Sequence, residues 1–118
     1  MKRRPIIIDC DPGHDDAMAI LWALASEELE IKAITTVAGN QTIEKVTNNA
    51  IRVLTKAKKY DIPVAKGAEA PLVRKLVVGG ELVHGDSGLE GPVLPENGFE
   101  VSELRALELL VKVLEESE

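Results

Sequence analysis

The sequence predicts an α/β fold in three layers, with helices on both sides of a mostly parallel sheet. Residues 4–66 read as strand, helix, strand, helix, strand, the alternation that right-handed crossovers turn into a parallel sheet. The first run, Ile6-Ile7-Ile8, is β-branched and apolar on both faces, as in a strand covered by helices. Polar residues collect where the strands end, Asp9 and Asp11 after the first and Asn40 after the second. In an open parallel sheet that carboxyl end is where ligands bind.

The 118 residues make one domain at most. A domain of this size buries about two thirds of its extended-chain surface, enough for a real core. With 45% hydrophobic and 29% charged residues the composition is that of an ordinary soluble globular chain. The net charge of -6 argues against nucleic acid and anionic membrane as partners, since both attract clustered Lys and Arg. Lys2-Arg3-Arg4 is a short basic run, and the residues after it lack the apolar length of a signal peptide. No apolar stretch is long enough to cross a membrane, so the expected compartment is the cytoplasm. The single Cys10 has no disulfide partner within the chain and reads as a small core residue.

The first strand is expected over Arg4–Cys10, starting at Pro5 and ended by Pro12-Gly13. Asp9 and Asp11 point to one side if both stay extended. Asp15–Ala25 is rich in Ala and Leu and apolar almost all round, which predicts a buried helix with Met18 and Trp22 as packing residues. Asp15 and Asp16 fall in its first turn, where the helix dipole favours carboxylates whatever else they do. A second strand is expected over Ile31–Val37, followed by the turn Ala38-Gly39-Asn40. By itself Asn40 reads as a turn or cap residue; it joins the acids if the two strands are parallel neighbours. Residues 41–60 carry the helical stripe Ile43, Val46, Ala50, Val53, Leu54 and Ala57, with Glu44, Lys45, Asn48, Asn49, Arg52, Lys56 and Lys59 on the solvated side. A short strand follows over Ile62–Ala65, its extent blurred by Pro63.

Residues 67–101 form the expected active-site loop region. Apart from Leu72–Val78, a short helix or strand, glycines and prolines including Pro92 punctuate them throughout. His84, Asp86 and Ser87 lie in it, but three polar residues so close in sequence seldom reach the geometry of a catalytic triad. His84 is the candidate ligand-facing residue. Ser102 is the expected N-cap of a last helix with the stripe Leu104, Leu107, Val111 and Leu114, widened by Leu110, and with fraying acids at Glu115, Glu116 and Glu118. A helix with an apolar face and no strand after it reads as a truncated α/β unit, so self-association is expected.

Chemistry concentrates in the eight residues from Asp9 to Asp16, DCDPGHDD, which hold four acids. Converging carboxylates in a partly dry site need a cation or many hydrogen bonds. Their hard oxygens suit Ca2+ or Mg2+, and calcium accepts the irregular shell that carboxylates, carbonyls and substrate hydroxyls provide. Water activated near Asp11 and a polyol oriented by Asp15 would amount to metal-assisted hydrolysis.

DCDPGHDD, then ITTVAGNQT at 34–42 and HGDSGLEGP at 84–92, in that order, closely resemble the amino-terminal part of the inosine-uridine nucleoside hydrolase family. The resemblance implies a Rossmann-like nucleoside hydrolase fold, with this chain as its amino-terminal portion. It also implies Ca2+-dependent hydrolysis of the N-glycosidic bond of ribonucleosides to ribose and free base, in a homo-oligomer or with a complementing chain. On the family pattern Asp11 is general base and metal ligand, and Asp16 a metal ligand. Asp15 and Asn40 bind ribose hydroxyls, His84 lies by the nucleoside, and Asp9 supports the metal cluster. IIIDCD also resembles the opening of haloacid-dehalogenase-like phosphohydrolases, though Pro12-Gly13 followed by Asp15-Asp16 fits that family less well. A non-catalytic calcium- or ribose-binding fragment is the third reading.

Overall fold

The computed structural model describes residues 2–91 and 93–117. Pro92 and Glu118, read above as a turn former and a terminal acid, lie outside the described residues. The elements are β1 (Arg4–Cys10), α1 (His14–Ala25), β2 (Leu29–Thr36), α2 (Ile43–Lys56), β3 (Val64–Lys66), α3 (Glu81–His84) and α4 (Ala106–Glu116). The strands are parallel in the order β1-β2-β3. Alternation along each strand divides the apolar residues between two layers. Ile6, Ile8, Ile34 and Val64 face a core with Ala17 and Ile20 of α1 and Ala50, Val53 and Leu54 of α2. Ile7, Ala33 and Ala65 face Ala106 and Leu109 of α4.

Register sets the site. Cys10 pairs with Thr36, and Thr36 with Lys66, so all three strands end along one edge of the sheet. Everything that follows β1 and β2 therefore emerges on the same side.

Several expectations need correcting. Among the described residues β1 pairs with β2 on one side only and its isoleucines are half-buried; residue type reports which faces are apolar, not how many strands lie alongside. In α1 only Ala17 and Ile20 are buried, while Met18 and Trp22 are exposed, because this helix touches the sheet along one narrow face. The last helix starts at Ala106, not after Ser102. Its N-cap is Arg105, whose N–H donates to Glu108 Oε1 (3.0 Å), while Ser102 Oγ accepts from Leu104 N–H within a turn. Its buried side carries Ala106 and Leu109, leaving Leu107, Val111 and Leu114 exposed. The third strand is Val64–Lys66, displaced past Pro63, and residues 72–78 form neither helix nor strand. Asn49, assigned above to the solvated side of its helix, is 1% exposed. Cys10 is buried as expected, and burial, reinforced by the charges of Asp16, Asp9 and Asp11, pushes its thiol up to about 12.

Candidate active site at the strand ends

The chain leaves β1 at Cys10, turns through Pro12-Gly13 and enters α1 at His14, so Asp11, Asp15 and Asp16 flank one tight turn. The turn after β2 reaches back to it. Asn40 N–H donates to Asp11 Oδ2 (2.9 Å), and Asn40 Nδ2 donates to the Asp11 carbonyl (2.9 Å). This double grip depends on Gly39, where a Cβ would collide with Asp11 Oδ2. Asp9, still on the strand, accepts from Thr35 Oγ1 (2.6 Å) on β2. Burial raises the Asp16 carboxyl above its ordinary value, and the charges of Asp15 and Asp11 push it further the same way.

The segment from Gly80 to Glu90 closes over the turn. His84 does not sit in an open loop; it ends the short α3 and is 9% exposed. Its Nδ1 accepts from His14 N–H (3.1 Å) and lies 2.9 Å from His14 Nδ1, and its Nε2 lies 3.7 Å from Asp15 Oδ1. The ring covers Gly13 so closely that a Cβ there would lie 2.5 Å from its Cδ2. His14 Nε2 in turn lies 2.6 Å from the Glu90 carbonyl. The structure thus brings Asp11 together with Asn40, and Asp15 with His84, around one turn. Asp86 and Ser87 point elsewhere: the Asp86 carboxylate faces Lys45 Nζ (3.6 Å), and Ser87 Oγ accepts from Leu89 N–H, so no triad forms.

Sequence reasoning missed His14, Gln41 and Asn49. Gln41 is 1% exposed, and its Nε2 donates to the Asp86 carbonyl (2.8 Å) and to Glu81 Oε1 (3.1 Å). The available signal was position: Asn49 stands three residues after Val46 and four before Val53, on the edge of the apolar stripe.

The donors at the turn are hard carboxylate oxygens, and the Asp16 carboxyl is raised by burial and then by the neighbouring charges of Asp15 and Asp11. That chemistry fits Ca2+, but the count does not fill its usual shell of about six to eight oxygens. Among the described residues, no group of three or more His, Cys, Asp or Glu is placed to hold an ion. A concavity of about 550 Å³ lined by Glu44, Lys66 and Phe99 lies beside α2 and includes none of Asp9, Asp11, Asp15 and Asp16.

A parallel sheet flanked by helices, with carboxylates gathered at its strand ends, defines an α/β protein of the open-sheet class, in which that edge is the usual place for a ligand. The inosine-uridine preferring nucleoside hydrolase family matches residues 6–118, and the chain belongs to that family. It is 59% identical over 114 residues to the pyrimidine-specific ribonucleoside hydrolase RihA of Photobacterium profundum, covering 97% of this chain and 36% of that protein. It is likewise 59% identical over 113 residues to the RihA of Salmonella typhimurium, covering 96% of this chain and 36% of that protein. Among solved structures, a plant nucleoside hydrolase superposes with a TM-score of 0.86 at 36% identity, over 98% of this chain and 36% of its own. A purine-preferring ribonucleoside hydrolase from Gardnerella vaginalis superposes with a TM-score of 0.88 at 25% identity, over 96% and 37%. The chain spans about a third of the length of these relatives. Among the described residues no helix is long and apolar enough to cross a membrane.

Proposed function

We propose that this chain carries part of the site for calcium-dependent hydrolysis of the N-glycosidic bond of ribonucleosides, in a cytoplasmic setting. The supporting observation is the grip of Asn40 on Asp11 beside the two acids that open α1. In this reading Asp11 and Asp16 hold Ca2+, with Asp9, bound to Thr35, bracing the strand end. Calcium, when bound, supplies positive charge that favours a nucleophilic water and the ribose hydroxyls beside the acids. Asp15 and Asn40 hold those hydroxyls, and His84 stands next to Asp15. Asp11 takes a proton from the water as the water oxygen bonds to C1′; the C1′–N bond breaks, the base leaves with the electron pair and takes a proton from solvent, and Asp11 returns its own proton to solvent. Carboxylates around the ribose offset the positive charge that develops on it. The 59% identity to pyrimidine-specific relatives supports uridine and cytidine as the preferred substrates.

The test is incubation with uridine, inosine and a phosphate ester, with calcium or with chelator. Ribose release that is faster from uridine and abolished by chelation is expected, whereas phosphate release alone would show a phosphohydrolase. Binding without turnover is the second reading, favoured by the incomplete donor set. It predicts calcium and ribose heats in calorimetry with no product.

The exposed apolar side chains Met18, Trp22, Leu107 and Leu114 support association with a second copy or a complementing chain. Sedimentation is expected to show assembly that increases with concentration. A monomer throughout the accessible range would remove this part of the proposal.

A further inference from the structure

Besides His14, the side chains that hydrogen-bond the Gly80–Glu90 segment come from α2 and the turn before it, and one of these also reaches the acidic turn. Asn49 is 1% exposed, and both N–H bonds of its amide are used. Nδ2 donates to the Pro12 carbonyl (3.1 Å), between Asp11 and Gly13, and to the Ser87 carbonyl (2.9 Å), three residues beyond His84. A single planar amide of α2 therefore hydrogen-bonds both loops, beside the direct contacts of His14 with His84 and Glu90. Its fit is close on the far side as well: Gly88 adopts φ +85°, and a Cβ there would lie 3.0 Å from Asn49 Nδ2. Gln41 and Lys45, both donating to the Asp86 carbonyl at 2.8 Å, fix the neighbouring peptide but do not touch the acidic turn.

We propose that Asn49 is a positioning residue that ties the Gly80–Glu90 segment to the Pro12-Gly13 turn and so seats the His84 ring on Gly13, beside Asp15. The inference rests on the hydrolase reading only for its consequence, that Asp15 and His84 face the ribose as a fixed pair. The tie needs an amide. Aspartate has the same shape but offers only acceptors, which would face two carbonyl oxygens and repel them. Once the tie opens, the hydrogen bonds that α2 gives to both loops through one side chain are gone, and the contacts of His14 with His84 and Glu90 are left to hold the turn and the segment together. These do not suffice, and His84 loses its contact with Gly13 and its bond from His14 N–H.

The experiment is NMR on the whole chain without added ligand, comparing Asn49→Asp with Val46→Ala. Val46 is also fully buried on α2 but its apolar side chain offers no hydrogen bond to either loop, so its truncation reports general loosening of the helix. In Asn49→Asp the contact between the His84 ring and the Gly13 α-protons is expected to disappear. Amide exchange at His14, which donates to His84 Nδ1, and at Glu90, which donates to the His84 carbonyl, should accelerate roughly tenfold or more, the scale of one lost hydrogen bond. Val46→Ala should retain the ring contact, and its exchange should rise only as far as global stability falls. Asn49→Ala, which introduces no charge, is the second variant and should show the same pattern. A retained His84–Gly13 contact in both Asn49 variants, or equal acceleration in Val46→Ala, would overturn the proposal. These signals need neither calcium nor nucleoside, so they hold or fail independently of the assay that tests hydrolysis.

Discussion

Asp11→Asn is expected to lower ribose release by roughly 10²–10⁴-fold, the usual contribution of a positioned general base. The substitution is nearly isosteric, and the carbonyl oxygen of the new amide can still accept from Asn40 N–H, so the turn keeps its shape. What it removes is the charge and the capacity to take a proton. Calorimetric calcium binding should weaken in parallel, because the amide is a poorer ligand for a hard cation than a carboxylate. Undiminished hydrolysis in this variant, measured beside an unchanged thermal unfolding midpoint, would remove Asp11 from the mechanism.

The core of this site was legible because it is local in sequence. Strand, Pro-Gly turn and helix follow one another from Arg4 to Ala25, so the acids between them must share one turn. Asn40 required one further step, that consecutive strands in such an alternation lie side by side and parallel, and the register between Cys10 and Thr36 bears that out. His84 was legible as a residue of the region but not in its environment. Its seat depends on Gly13 and His14, 71 and 70 positions away by residue number, and no periodicity reports a contact across that distance.

Other misreadings share a cause in the difference between an apolar residue and a covered one. Met18 and Trp22 have the composition of core residues, yet burial requires a neighbouring element, and α1 packs its buried side chains against the sheet and α2 while these two face away. The α4 stripe failed for a related reason: with apolar residues at positions 104, 107, 109, 110, 111, 113 and 114, several faces of the helix qualify, and the alanines of β2 and β3 select the one holding Ala106 and Leu109. Asn49 is the converse. A polar residue on the edge of an apolar stripe was read as solvated, but an amide can be buried when loop carbonyls meet both of its hydrogens.

Gly39→Ala separates the placement of Asp11 from its charge. The added Cβ would overlap Asp11 Oδ2 and lie 3.2 Å from its Cγ, while that same oxygen is held 2.9 Å from Asn40 N. The carboxylate cannot swing aside without breaking that bond, and the turn at 38–40 cannot retreat without drawing Asn40 away from the Asp11 carbonyl. Either relaxation separates the two groups assigned to water and ribose, and misplacement of about 1 Å can cost roughly 10²-fold in rate. Hydrolysis in Gly39→Ala is therefore expected to fall by about that factor with Asp11 still present. The stability cost should stay at roughly 1–3 kcal/mol, typical of overpacking, enough to lower the unfolding midpoint but not to unfold the chain. Gly79→Ala is the control, since a Cβ at that position meets nothing within 4 Å. If Gly39→Ala and Gly79→Ala hydrolyse nucleoside and bind calcium alike, contact between Asp11 and the turn after β2 does not set the geometry of the reaction.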